Sequence, residues 1–294
     1  MDESEKRRQL KVYFFHFEKP EKPQKSSDTQ KLIAYGILIF LVGCFLLSVE
    51  RVGLMLGPLG VFFGGAMIYA GISQRSKDKR KEAEYRESLK EYQEGLENWG
   101  LTESDLEQTP SGQQVDNWLR EDLESIREHA LNEELGLVRE ELKRDPLVIY
   151  GPLFWETYGI PVDELAYVRE EPSDILRFSC YRVVCVFLTD ARVATYSCDF
   201  NFLRNARVGE KVVEYLYRDI VSVSTEEIST NYTLPDGKTL QHAKVFRLAV
   251  ASGDSIQVVV SSPQLKDMLN GTPNVENQDE NVRVIREMLR TKKG

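Results

Sequence analysis

Cysteine and histidine are scarce, at four and three in 294 residues, and neither falls in a spacing that makes chemistry. No CxxC pair is present, and His16, His129 and His242 stand too far apart to suggest metal-ligand spacing. Cys44 sits in an apolar run, while Cys180, Cys185 and Cys198 sit in apolar, strand-like stretches, which reads as buried free thiols in a reducing compartment. A Gly-rich phosphate loop, a nucleophile elbow, a His-Glu metal helix and a Cys-His pairing are all lacking, so the expectation is a protein without catalytic residues, cofactor or metal. Paired acids such as Glu170-Glu171 and Glu226-Glu227 read as solvated. Basic excess is missing as well. The net charge is −9, and only residues 1–31 lean positive, with 8 Lys and Arg against 6 acids. Residues 102–150 carry 5 against 13, and residues 151–294 carry 17 against 20. Neutralising a phosphate backbone needs the opposite balance, so nucleic acid is excluded as a main partner.

What the sequence has is two long uncharged runs. Leu32–Val49 covers 18 residues and Val52–Ile72 covers 21, separated only by Glu50-Arg51. At 1.5 Å per residue they reach about 27 and 31 Å, close to the roughly 30 Å hydrocarbon core of a bilayer. The runs are therefore expected to form a two-helix transmembrane hairpin. Lys19, Lys22, Lys25 and Lys31 before it and Arg75, Lys77, Lys79, Arg80 and Lys81 after it place both termini in the cytoplasm by the positive-inside rule. Neither run contains an ionisable Asp, Glu, Lys, Arg or His, which leaves no proton relay or ion-coordinating charge.

The second run is rich in small residues, with Gly53-xxx-Gly57 and Gly60-xxx-Gly64 at one-turn spacing, and Gly36 and Gly43 lie in the first. Such notches let helix backbones approach closely. Two readings stand: the notches close the hairpin on itself, or they hold several copies together.

Before the first run, Tyr13, Phe14, Phe15 and Phe17 form a dense aromatic cluster, expected at a membrane interface or as an edge strand docked on the C-terminal domain. After the second run, residues 76–96 read as a charged helical stalk. Ser111-x-x-Gln114 is a capping box that opens a helix running to about Arg144. Its apolar stripe includes Val115, Leu119, Leu123 and Ile126, and Asp116, Glu121, Glu124 and Glu128 lie on the opposite face. That acidic face reads either as a docking surface for a basic partner or as a solvated helix face.

From about residue 161 the apolar period changes from 3.6 to 2. Phe178–Leu188, a turn at Thr189–Arg192 and the alternating Ala194, Tyr196, Cys198, Phe200 and Phe202 predict a strand hairpin. Further strands are expected at 212–217, 220–232, 245–251 and 256–260, followed by a short helix from Ser262 to Gly271 and a last helix striped by Val282, Ile285, Met288 and Leu289. The stretch Leu216-Tyr-Arg-Asp-Ile-Val-Ser-Val223, set in six or seven antiparallel strands closed by an amphipathic helix, resembles the pleckstrin-homology-like domain of bacterial membrane-anchored proteins. The resemblance covers roughly residues 160–292 and implies a protein- or lipid-binding module. Against lipid, Arg169-Glu-Glu-Pro-Ser-Asp174 stands where headgroup-binding members carry basic residues, and an acidic loop repels a phosphorylated headgroup.

The expected organisation is a cytoplasmic arm (1–31), a transmembrane hairpin (32–73), a stalk with acidic helices (74–150) and an α+β domain with an antiparallel sheet or barrel capped by a C-terminal helix (151–294). The expected function is that of a non-catalytic scaffold or regulator in a bacterial inner membrane, with membrane lipids and a protein as partners. The alternative is an oligomeric membrane effector or pore assembled through the Gly-rich second helix.

Overall fold

The computed structural model describes residues 1–23, 29–47, 53–153, 157–170, 175–233, 239–253, 255–261 and 274–293. The chain divides into two compact units, one of residues 17–102 and one of residues 1–16 with 103–294.

The smaller unit is a helical hairpin. Helix α2 (Thr29–Leu47) runs antiparallel to the first part of the long helix α3 (Gly53–Trp99), which contains Pro58 and continues unbroken through the charged segment expected as a stalk. Their backbones come close enough at Gly64 that a Cβ there would lie 2.5 Å from the Phe40 amide nitrogen; at Gly36 it would lie 2.9 Å from that of Ile68. Large apolar side chains on the outside, among them Phe45, Phe62, Phe63 and Tyr69, are exposed.

Among the described residues, no helix is long and apolar enough to cross a membrane. This corrects the expected transmembrane hairpin, and with it the integral location in a bacterial inner membrane with cytoplasmic termini. A span needs about 20 consecutive apolar residues. Helix α2 opens with the polar Thr29-Gln30-Lys31, which leaves 16 positions from Leu32 to Leu47, or about 24 Å. In α3 the uncharged stretch before Gln74 and Arg75 includes Pro58 and six glycines, which dilute its apolar content.

The hairpin gives a paired prediction. Gly64→Leu forces a side chain into the α2 backbone and is expected to destabilise this unit by about 1–3 kcal/mol. Gly65, one residue on, has nothing within 4 Å of its would-be Cβ; Gly65→Ala should be neutral or stabilising by up to about 1 kcal/mol from helix propensity. Limited proteolysis within residues 17–102 reads both.

The larger unit, the body, begins with a helix, α1 (Glu3–Phe14), not an edge strand. Helix α4 (Gly112–His129) is capped as expected, with Ser111 Oγ accepting from the Gln114 amide at 3.3 Å. It ends earlier than the stripe suggests: a π-helical turn, Ala130–Glu134, follows at once, and Gly136 then takes φ +58° and turns the chain away. Strands β1 (Leu147–Pro152), β4 (Cys180–Leu188), β5 (Arg192–Asn201) and β6 (Ala206–Leu216) form an antiparallel sheet in the order β1-β4-β5-β6. Strands β2 (Tyr167–Glu170) and β3 (Ile175–Phe178) pair separately, and β7 (Ile220–Thr233), β8 (Thr239–Val250) and β9 (Ser255–Ser261) make a three-stranded antiparallel sheet in chain order.

One apolar core joins the four- and three-stranded sheets. Val184, Val186 and Leu188 meet Phe246, Leu248 and Val258, and the last helix, α5 (Asn274–Lys293), closes it with Val282, Ile285 and Leu289. The stripe read on that helix is its buried face. The short helix expected from Ser262 to Gly271 lies outside the described residues.

Candidate functional site

The acids expected on one face of α4, and Asp122 on its buried side, stand beside cations of the chain itself. Asp122, 5% exposed, accepts from Lys6 Nζ at 2.6 Å and from both terminal nitrogens of Arg7 at 2.7 and 2.9 Å. Arg7 also donates to the Phe202 carbonyl at 2.9 Å, which ties α1 to the end of β5. Glu121 stands 3.5 Å from Lys6 but is two-thirds exposed, so it adds little. Glu124 pairs with Arg127, and Glu128 with Arg127 and Arg139; Arg139 holds the Glu128 carboxyl below the ordinary range despite its exposure.

Asp116 has a different partner. Arg177 on β3 donates to both its oxygens at 2.8 and 2.9 Å, to Glu170 on β2 at 2.6 Å, and to the Tyr13 hydroxyl at 3.3 Å. Burial works against the guanidinium's charge, but Asp116 and then Glu170 outweigh it and hold the group above an ordinary arginine. The guanidinium lies over Gly112, where a Cβ would sit 2.5 Å from Arg177 Cζ, so the first residue of α4 is glycine for lack of room. Three elements far apart in sequence thus converge on one buried cation.

The aromatic cluster divides. Tyr13 and Phe14 are buried in the body, Phe15 is half-buried, and Phe17 belongs to the hairpin unit, its ring 3.4 Å from where a Cβ on Gly95 would stand. Of the nominated glycines, Gly64 packs on α2; the surroundings of Gly53, Gly57 and Gly60 lie outside what is described.

The thiols of Cys180, Cys185 and Cys198 are free and buried. Burial pushes Cys180 and Cys198 up to about 12 and raises Cys185 further, so none presents a thiolate near neutral pH.

A candidate surface lies instead at the margin of the three-stranded sheet. Among the described residues, no strand pairs with the outer side of β7. Its register slips between Ile220 and Ser222, which makes Val221 a bulged residue, 65% exposed and out of the alternation. Helix α5 passes beside it, and the two enclose a solvent-open groove of about 440 Å³ lined by Val221, Val223, Leu289, Arg286 and Arg290. Arg286 is anchored across the strand, donating to the Val223 carbonyl at 3.2 Å and to Thr225 Oγ1 at 3.4 Å, while Arg290, one turn on, is exposed. The lining combines apolar side chains with two cations and no acid.

No family model, curated protein or solved structure matches the chain. The reading of the groove therefore rests on its own chemistry.

The sequence places Leu289 on the stripe of the last helix and Val221 and Val223 in a strand, without marking a site there, yet two further signals are present. Arg286 and Arg290 stand four apart beside the stripe of α5, and Val221 adds an apolar residue out of phase in Ile220-Val-Ser-Val223. That the two meet depends on how the last helix crosses the sheet, which no local pattern reports.

Proposed function

We propose that the chain is a non-catalytic interaction protein whose body binds an extended, acidic segment of a partner protein between β7 and α5. The observation that carries this reading is a strand, β7, with no neighbouring strand on its outer side among the described residues, beside a groove lined by apolar side chains and two arginines. An unpaired edge offers backbone donors and acceptors to an incoming strand, with specificity supplied by pockets for alternate side chains. Guanidinium groups at the rim favour carboxylates, which they bind through paired, charge-assisted hydrogen bonds. Four strands, then three, closed by a C-terminal helix are consistent with the pleckstrin-homology-like resemblance, and protein binding is one of the roles it implies. The high thiol pKa values and the matched charges on α1, α4 and β3 support a structural use of those groups.

A test is selection of displayed random peptides on the intact chain. Recovered sequences should alternate apolar and acidic residues, and the double variant Arg286→Glu, Arg290→Glu should weaken them by at least about tenfold, since each hydrogen bond to a charged group contributes about 1.5–3 kcal/mol. Recovery of no consensus, or of peptides that the double variant binds equally well, would reject the groove.

The exposed apolar side chains of the hairpin favour a second reading, a homo-oligomer, because contiguous apolar patches mark association surfaces. Gly64 is already spent on hairpin closure, so Phe62, Phe63 and Tyr69 would carry the contact. Sedimentation velocity decides it by mass.

A further inference from the structure

At the far end of α4 three potential ligand atoms converge. His129 Nε2 lies 3.4 Å from Glu134 Oε1 and 3.4 Å from Glu210 Oε2, and all three atoms fall within 4.8 Å of one another. The imidazole nitrogen is buried and has no hydrogen-bond partner. Its other nitrogen is occupied: Nδ1 stands 3.1 Å from Glu133 Oε2. A proton carried on Nδ1 would have Glu133 as its nearest acceptor and would leave the Nε2 lone pair towards the two remaining carboxylates.

The local backbone explains how both glutamates reach this ring. On an α-helix, Glu133 lies one turn beyond His129 and Glu134 would rotate away. The π-helical turn over Ala130–Glu134 widens the spiral, with the Leu135 amide bonded five residues back to the Ala130 carbonyl at 3.0 Å, and so brings Glu134 round to the same side. Glu210 comes from β6, 76 residues further on, and accepts from the Tyr196 hydroxyl at 2.5 Å. The Tyr196 ring is fully buried. The Nε of Arg207 lies 3.5 Å from the same Glu210 oxygen and offsets part of the negative charge.

We propose that His129, Glu134 and Glu210 form a binding site for a divalent ion of the zinc type. Bonds of about 2.0–2.2 Å at tetrahedral angles set ligand atoms about 3.3–3.6 Å apart, and both spacings from Nε2 fall in that range. Glu133 completes the carboxylate–histidine–metal relay that fixes the ring and its tautomer, and Tyr196 orients Glu210 as a second outer partner. Glu134 and Glu210 are about one-third exposed, so a fourth position opens to water. The ion would pin the π-helical turn to β6. The competing arrangement is a protonated imidazole held as a plain ion pair by the surrounding carboxylates.

Titration of the intact, chelator-stripped chain with zinc, followed by calorimetry, and with cobalt, followed by visible absorption, separates the two. We expect one ion per chain, a rise in thermal midpoint on zinc addition, and a cobalt spectrum of four-coordinate intensity. Glu134→Gln and Glu210→Gln should each abolish the cobalt signal with an unchanged circular dichroism spectrum, and Glu133→Gln should weaken binding about 10- to 100-fold. Absence of saturable binding, or binding that survives both ligand variants, would overturn the site. If Glu210→Gln alters the fold, Glu134→Gln, on the π-helical turn, decides alone.

Discussion

Replacing Asp122 with alanine is expected to destabilise the body by about 3–5 kcal/mol, the cost of leaving buried charge without its counter-charge. Lys6 and Arg7 are 6% and 8% exposed, and their short contacts to a carboxylate all go to Asp122 or, for Arg7, also to the exposed Glu3. Removing the carboxylate leaves Lys6 with Glu121 at 3.5 Å and Arg7 with Glu3, both of them largely exposed. A control separates this from simple loss of attraction. Lys6→Met, Arg7→Met and Asp122→Leu in one chain replace the cluster with apolar side chains, and most of the lost stability should return, because a buried ion pair is often no better than a well-packed apolar substitute. Recovery stays incomplete, since the Phe202 carbonyl loses the hydrogen bond from Arg7. Denaturant unfolding measures both; a loss below about 1 kcal/mol for the alanine variant would mean that water reaches the cluster.

Leu10→Ala is expected to cost about 2–5 kcal/mol, the range for truncating a fully enclosed leucine. Leu10 is 0% exposed, and Val12, Tyr13 and Phe14 beside it are almost as deeply buried. The first 16 residues are thus part of the body's core, although nearly 90 residues separate them from the rest of it. A change below about 1 kcal/mol, read by the same unfolding experiment, would show α1 to be a loose attachment.

These two residues also show where the sequence could be read and where it could not. The strands from Cys180 to Ser261 and the face of α5 follow from short periods and turn residues, because those elements bury one face against neighbours close in the chain. Helix α1 was expected as an interfacial arm or edge strand. Its aromatics crowd one end, Tyr13 to Phe17, and its polar partners Asp122 and Phe202 are over 100 residues away. Asp122 escaped the acidic face of α4 because it sits between Leu119 and Leu123, on the apolar side, which in hindsight marks a charge that must be matched inside. The helix end at His129 was hidden too, since the apolar stripe runs on through Leu135 while the backbone changes to a π-helical turn. The histidine cluster was half legible: His129 and Glu133 stand four apart on one helix face, but Glu210 joins them only through the folding of β6. The two long apolar runs were the strongest single signal, yet among the described residues no helix is long and apolar enough to cross a membrane.

The most direct test of the binding groove is hydrogen–deuterium exchange of the intact chain, alone and saturated with a peptide recovered by selection. Slowed exchange confined to β7 and the facing part of α5 is the result expected of strand addition at this edge. Slowed exchange in α2 and α3 with β7 unchanged would contradict it and move the interaction to the hairpin.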